Sequence, residues 1–99
     1  MDYKEDIVWI AMADKTRRDI IDMLYKKDSL TAGEISEKFE MTKPSLSRHF
    51  NILKQAGLIN AEKKGKNVIY TLSSTWGEEI LAFTDRIHNR EPIKKLKKS

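Results

Sequence analysis

The sequence contains no cysteine. That single absence removes disulfides, thiolate metal sites and cysteine nucleophiles. Histidine is nearly as scarce: His49 and His88 are the only two, and they lie far apart in the chain. No Gly-rich phosphate loop, no G-x-S-x-G and no H-E-x-x-H occurs. The expectation is therefore a protein that is not an enzyme and needs no cofactor or metal. Long apolar runs are missing too. The longest, Ile7 to Ala13, falls far short of the roughly 20 residues of a membrane span, so no membrane insertion is expected. It follows an acidic start, Met1-Asp2-Tyr3-Lys4-Glu5-Asp6, with no basic flank of the secretory kind, which points to the cytoplasm.

What is present is charge, unevenly placed. The 99 residues carry a net charge of +4. Residues 41–71 hold six Lys and Arg against one acidic residue, Glu62, and the segments on either side of them are net acidic. The last eight residues add four lysines and no acid. A chain of this length makes one domain and buries about 65% of its unfolded surface. Its core is thin, and burial against a partner chain would supplement it.

The pattern of elements is mainly α. Ile7 to Ala13 is apolar at every position, where a helix packed on one side would be striped; it reads as buried on two sides. Asp14 caps a helix running to about Lys27, with Arg17, Ile20, Ile21 and Leu24 on one face, and Asp28-Ser29 ends it. Thr31-Ala32-Gly33-Glu34 is a capping box, and Leu30 and Ile35 form its hydrophobic staple. This helix is short, with Ile35 and Phe39 inward. Thr42 caps the next helix and Pro44 is tolerated in its first turn. Leu46, Phe50 and Leu53 face inward, and Gly57 with Leu58 forms a Schellman ending. Two strands, 58–63 and 68–72, flank a basic turn, Lys64-Gly65-Lys66-Asn67. A last helix starts at Thr75-Trp76-Gly77-Glu78, carries Trp76, Ile80, Phe83 and Ile87 as its stripe, and ends near Pro92. Residues 1–91 form the domain and residues 92–99 a basic tail.

A two-turn helix, a tight turn and a longer capped helix make a helix-turn-helix. The hairpin that follows makes it a winged helix-turn-helix, in the order α-α-α-α-β-β-α. Stepping about 100° per residue from Leu46 puts Pro44, Arg48, Asn51 and Gln55 within about 40° of the opposite side, flanked by Ser45 and Ser47. Such a face suits a major groove of double-stranded DNA. Small Ser45 and Ser47 permit close approach, Arg48 is built for guanine O6 and N7, and Asn51 for adenine or backbone. Free N–H groups near Lys43 favour a phosphate. Lys63, Lys64 and Lys66 at the wing would meet phosphates or the minor groove. His49 lies beside the inward stripe and reads as a half-buried hydrogen-bonding residue rather than a base reader. Ile52 is apolar on a polar flank, with no evident reason.

These stretches resemble the ArsR (SmtB-type) family of bacterial winged-helix repressors, from about Ile7 to Thr75. The carriers are Ala13-Asp14-Lys15-Thr16-Arg17-Arg18-Asp19-Ile20-Ile21, Leu30-Thr31-Ala32-Gly33-Glu34-Ile35, the run from Lys43 to Ile59, and Lys64-Gly65-Lys66-Asn67-Val68-Ile69-Tyr70. The Ser45-x-Ser47-x-His49-Phe50 stretch with Leu53-Lys54-Gln55-Ala56-Gly57-Leu58-Ile59 is the most specific, and the metal-free autorepressor branch is the most similar. The resemblance implies a homodimer built from the first and last helices, hence an interface containing Ile7, Trp9, Ile10, Trp76, Ile80, Phe83 and Ile87. It also implies an inverted-repeat operator, read by two recognition helices about one helical turn apart, roughly 34 Å. Glu40 stands where the family often has a turn glycine, which leaves the turn's shape open.

Two other readings compete. One is a protein-interaction module on the same fold. The other is a metal-responsive repressor using Asp85, His88 and Glu91 of the last helix, although a zinc site needs about four ligands. Without ligand-binding residues, release from DNA would come from a regulatory protein partner or from the chain's own concentration.

Overall fold

The computed structural model describes residues 3–74, and the expected last helix and basic tail lie outside them. The described elements are α1 (Tyr3–Ala11), α2 (Lys15–Lys27), β1 (Ser29–Thr31), α3 (Ala32–Ser36), α4 (Lys43–Gln55), β2 (Ile59–Lys64) and β3 (Asn67–Leu72). The strands form one antiparallel sheet in the order β1-β3-β2.

Each helix start from α2 onward is fixed by its cap. Asp14 accepts the Arg17 N–H at 3.2 Å. Thr31 accepts the Glu34 N–H at 3.0 Å while the Glu34 carboxylate accepts the Thr31 N–H at 2.8 Å, so both halves of the capping box are present. Thr42 accepts the Ser45 N–H at 3.2 Å. These bonds satisfy donors that have no partner inside a helix. α4 ends as the sequence predicts. The Gly57 N–H donates to the Lys54 carbonyl at 2.9 Å and the Leu58 N–H to the Leu53 carbonyl at 3.0 Å, with Gly57 at φ 76°. That is the Schellman pair, and its left-handed residue is a glycine, which has no Cβ to clash.

The core gathers the inward residues of all the helices. Ile20, Ile21, Leu24, Ile35, Leu53 and Leu58 are buried to within 1% of their surface, joined by Val8, Ala11, Leu46, Phe50, Ile59 and Tyr70. Burying one such large aliphatic side chain is worth about 1.5–3 kcal/mol. The Phe50 and Tyr70 rings stack with centroids 4.3 Å apart, which ties α4 to the wing. Ile52 packs at the margin of this core, which explains the apolar residue on an otherwise polar flank.

Four expectations need correction. The sheet has a third strand, β1, which pairs Leu30 with Tyr70; three residues are too few to show an alternation in sequence. α1 begins at Tyr3, ahead of the apolar run, and ends at Ala11, before Ala13. α3 ends at Ser36, three residues before Phe39, so Phe39 packs against the core from the turn that follows the helix. The hairpin loop is two residues, Gly65-Lys66, because Lys64 pairs with Asn67. Gly65 takes φ 61° at the first loop position, where a type II′ turn calls for glycine. The turn before α4 uses no left-handed Glu40: among the described residues, Asp28 is the only non-glycine with positive φ.

Candidate nucleic-acid interface

α3, the turn that follows it, α4 and the β2–β3 hairpin form a winged helix-turn-helix. Leu46, Phe50 and Leu53 anchor α4 in the core, and its other side carries Pro44, Ser45, Ser47, Arg48, Asn51 and Gln55, all exposed. Lys43 is exposed at the first turn. The N-terminal end of the helix is organised by Thr42, whose hydroxyl donates to Ser45 Oγ at 3.1 Å as it accepts the Ser45 N–H. Ser45 Oγ therefore accepts inward, and its own proton is available to an outer acceptor. A hollow of about 230 Å³ opens between α3 and the start of α4, with Gly33 and Ser36 on one wall and Lys43 and Ser47 on the other.

Lys63, Lys64 and Lys66 are exposed at the end of the wing. Residues paired across the ladder share a face and neighbours along a strand alternate. Lys63, opposite Val68, therefore lies on the face of Ala61 and the buried Tyr70. Lys64 lies on the other face with Glu62. The wing lysines are thus spread over both sides of the hairpin rather than grouped on one. Burial of Tyr70 raises its phenol above the ordinary value of 10.

His49 is half-buried beside the inward stripe, as its position on the helix predicts. Its Nδ1 lies 3.1 Å from Arg17 Nη1 and 3.8 Å from Asp14 Oδ2. Arg17, expected on the inner face of α2, instead reaches across with a polar head. Burial raises the Asp14 carboxyl, but the Arg17 N–H, the His49 and Arg17 charges and the Thr16 N–H together hold it below 3.8. The link from Arg17 to His49 is not legible in sequence, because the two are 32 residues apart.

Of the first helix, Val8 and Ala11 are buried in the chain's own core. The residues expected at a subunit interface, Ile7, Trp9 and Ile10, keep 41%, 53% and 62% of their surface exposed. Trp76, Ile80, Phe83 and Ile87 lie outside the described residues, as do Asp85, His88 and Glu91. Among the described residues no helix is long and apolar enough to cross a membrane.

A capped helix with a polar outer face, a basic wing and a scaffold that buries the opposite side define a DNA-binding winged helix. Residues 14–61 match the model of the arsR family of bacterial regulatory proteins. The transcriptional repressor SdpR of Bacillus subtilis is 48% identical over 68 residues, which cover 69% of this chain and 74% of that protein. The transcriptional activator HlyU of Vibrio cholerae is 38% identical over 78 residues, covering 79% and 68%. The solved structure of HlyU from Vibrio cholerae superposes with a TM-score of 0.77 at 32% identity, over 91% of this chain and all of that one. The chain belongs to the ArsR family and is a DNA-binding transcription regulator.

Proposed function

We propose that the chain is a homodimeric repressor that binds an inverted-repeat operator in double-stranded DNA and excludes polymerase from a promoter in the cytoplasm. It acts without catalysis, cofactor or metal. The observation that carries this reading is the coincidence of two patterns. Six of the seven charges in residues 41–71 are positive, and they fall on the helix and wing whose outer surfaces the fold leaves open. A two-fold dimer would set two copies of α4 in successive major grooves, roughly 34 Å apart.

In this reading Arg48 reads guanine, Asn51 reads adenine or touches backbone, and Ser45, Ser47 and Pro44 form the close contact surface. Lys43, Lys63, Lys64 and Lys66 meet phosphates. Ile7, Trp9 and Ile10 support the dimer: α1 already buries one side in its own core, and a second copy would cover the other. Trp76, Ile80, Phe83 and Ile87 complete that interface, residues 1–91 form the domain, and residues 92–99 are a basic tail. Release comes from a regulatory protein partner or from falling concentration of the chain itself.

Two substitutions separate reading from holding. Arg48→Ala should weaken binding to the selected duplex by about 10–100-fold and relax preference at one base pair, as removal of a bidentate bond worth about 1–3 kcal/mol requires. Lys64→Ala, which removes one phosphate contact from each of two subunits, should weaken selected and unrelated duplexes alike and lower the salt slope by about 2. Competition binding with both duplexes measures this. If neither substitution changes DNA affinity, the assignment of α4 and the wing fails and a protein-binding role for this face takes its place.

A further inference from the structure

Arg17 joins three elements with one side chain. It belongs to the first turn of α2, yet its guanidinium bonds run elsewhere. Nε donates to the Ala11 carbonyl at 2.7 Å and Nη2 to the Ile10 carbonyl at 3.3 Å. These oxygens belong to the last turn of α1, where carbonyls lack partners inside the helix. Nη1 lies 3.1 Å from His49 Nδ1, in the middle of α4. A guanidinium only donates, so Nδ1 must present its lone pair. That bond forms only with the neutral ring whose proton is on Nε2; a protonated ring would instead add its charge to those that lower the Asp14 carboxyl.

The second neighbour of the same nitrogen is Asp14 Oδ2, at 3.8 Å. Among the described residues, the charged groups facing His49 are Arg17 and Asp14, both from α2 and its cap. α1 enters the cluster through the carbonyls that Arg17 holds. A proton on Nδ1 turns the contact with Arg17 into a repulsion between cations and gives Asp14 a donor to accept. His49 is adjacent to Arg48 and two residues from Asn51, on a stiff helix. A shift at His49 moves both.

We propose that Arg17 and His49 are positioning residues that set the pitch of α4 against the end of α1, and that protonating His49 exchanges Arg17 for Asp14 as its partner. Sequence discrimination is then highest when the imidazole is neutral and falls as it gains its proton. The same strut connects α1 to the reader: the carbonyl of Ile10 is bonded to Arg17 while its side chain is 62% exposed on the face proposed for the second subunit. The inference rests on α4 being the base-reading element.

The test uses the full chain, the duplex that the wild-type protein selects from random DNA, and an unrelated duplex of equal length. The readout is the ratio of the two affinities at about pH 8 and about pH 5.5, with histidine the side chain whose charge responds to pH between those limits. Acidification tightens all DNA binding through added positive charge, and the ratio cancels that contribution. The wild-type ratio should fall about tenfold at the lower pH, the scale of losing a hydrogen bond to a charged group. His49→Asn keeps an acceptor near the Nδ1 position and does not titrate. It should hold the wild-type ratio at pH 8 and show no fall. His49→Leu and Arg17→Met should lose about tenfold at pH 8 and be flat with pH. Retained binding to the unrelated duplex shows that each variant is folded, and if the last two do not fold, His49→Asn decides. A pH-dependent fall in His49→Asn equal to that of the wild type overturns the proposal, as does a wild-type ratio in folded His49→Leu and Arg17→Met. A wild-type ratio near one at both pH values removes the base-reading role of α4, and the strut with it.

Discussion

Raising monovalent salt from about 50 to about 200 mM should lower the affinity of the chain for its selected duplex by about 10⁴-fold. If each subunit of a dimer engages DNA through four of its exposed cations, about eight phosphates are neutralised, and log K falls with log salt at a slope near −7. Lys43, Arg48, Lys63, Lys64 and Lys66 are exposed and supply enough charge on each copy. The spread of Lys63 and Lys64 over opposite faces of the wing makes four phosphate bonds per subunit, rather than five, the better estimate. A titration by fluorescence anisotropy gives the slope directly. A slope of about −4 or shallower would mean that the wing does not reach the backbone or that one subunit binds alone, since either leaves about four phosphates neutralised.

Leu53→Ala should cost about 2–5 kcal/mol of folding stability, a large share of the ~5–15 kcal/mol that a domain of this size holds. Leu53 is 0% exposed and belongs to the core cluster that joins residues of the helices and the sheet. Its truncation removes buried methyl groups and leaves a cavity that the neighbouring elements close only in part. The melting temperature should fall by at least about 10 °C at fixed protein concentration, a control that the proposed dimer makes necessary. Gln55→Ala, two residues on and on the exposed side, should change stability by no more than about 0.5 kcal/mol. Thermal melts of the two variants therefore test which side of α4 is anchored. Equal losses would contradict the placement of the outer face on which the DNA-binding assignment depends.

Much of this arrangement is legible in the sequence because it is written in short-range chemistry. Thr31 with Glu34, Thr42 with Ser45 and Gly57 with Leu58 are local signals, and each makes its bond as expected. The inward stripe of α4 follows from helical period alone, and with it the exposure of every α4 residue assigned to DNA. Features set by distant partners are hidden. β1 exists because Leu30 finds Tyr70 forty residues away, and its three residues carry no pattern of their own. Asp28 takes a left-handed φ of 71° that favours glycine, so the end of α2 carries no glycine to mark it. Arg17 falls on an apolar stripe by period and so reads as part of the inner face, whereas its head leaves that face for α1 and His49. The basic block is the opposite case. Whole-chain charge says little about it, and its meaning emerges only when the six cations are placed on α4 and the wing.

The central claim is that a symmetric pair of α4 helices reads DNA. It is tested most directly by selecting the sequences that the full chain binds from random duplexes at moderate salt. The account predicts recovery of an inverted repeat whose half-sites are centred about one helical turn apart, roughly 10 base pairs, with a guanine preference in each half-site that Arg48→Ala abolishes. Recovery of no enriched sequence, or of a single half-site without symmetry, would contradict it.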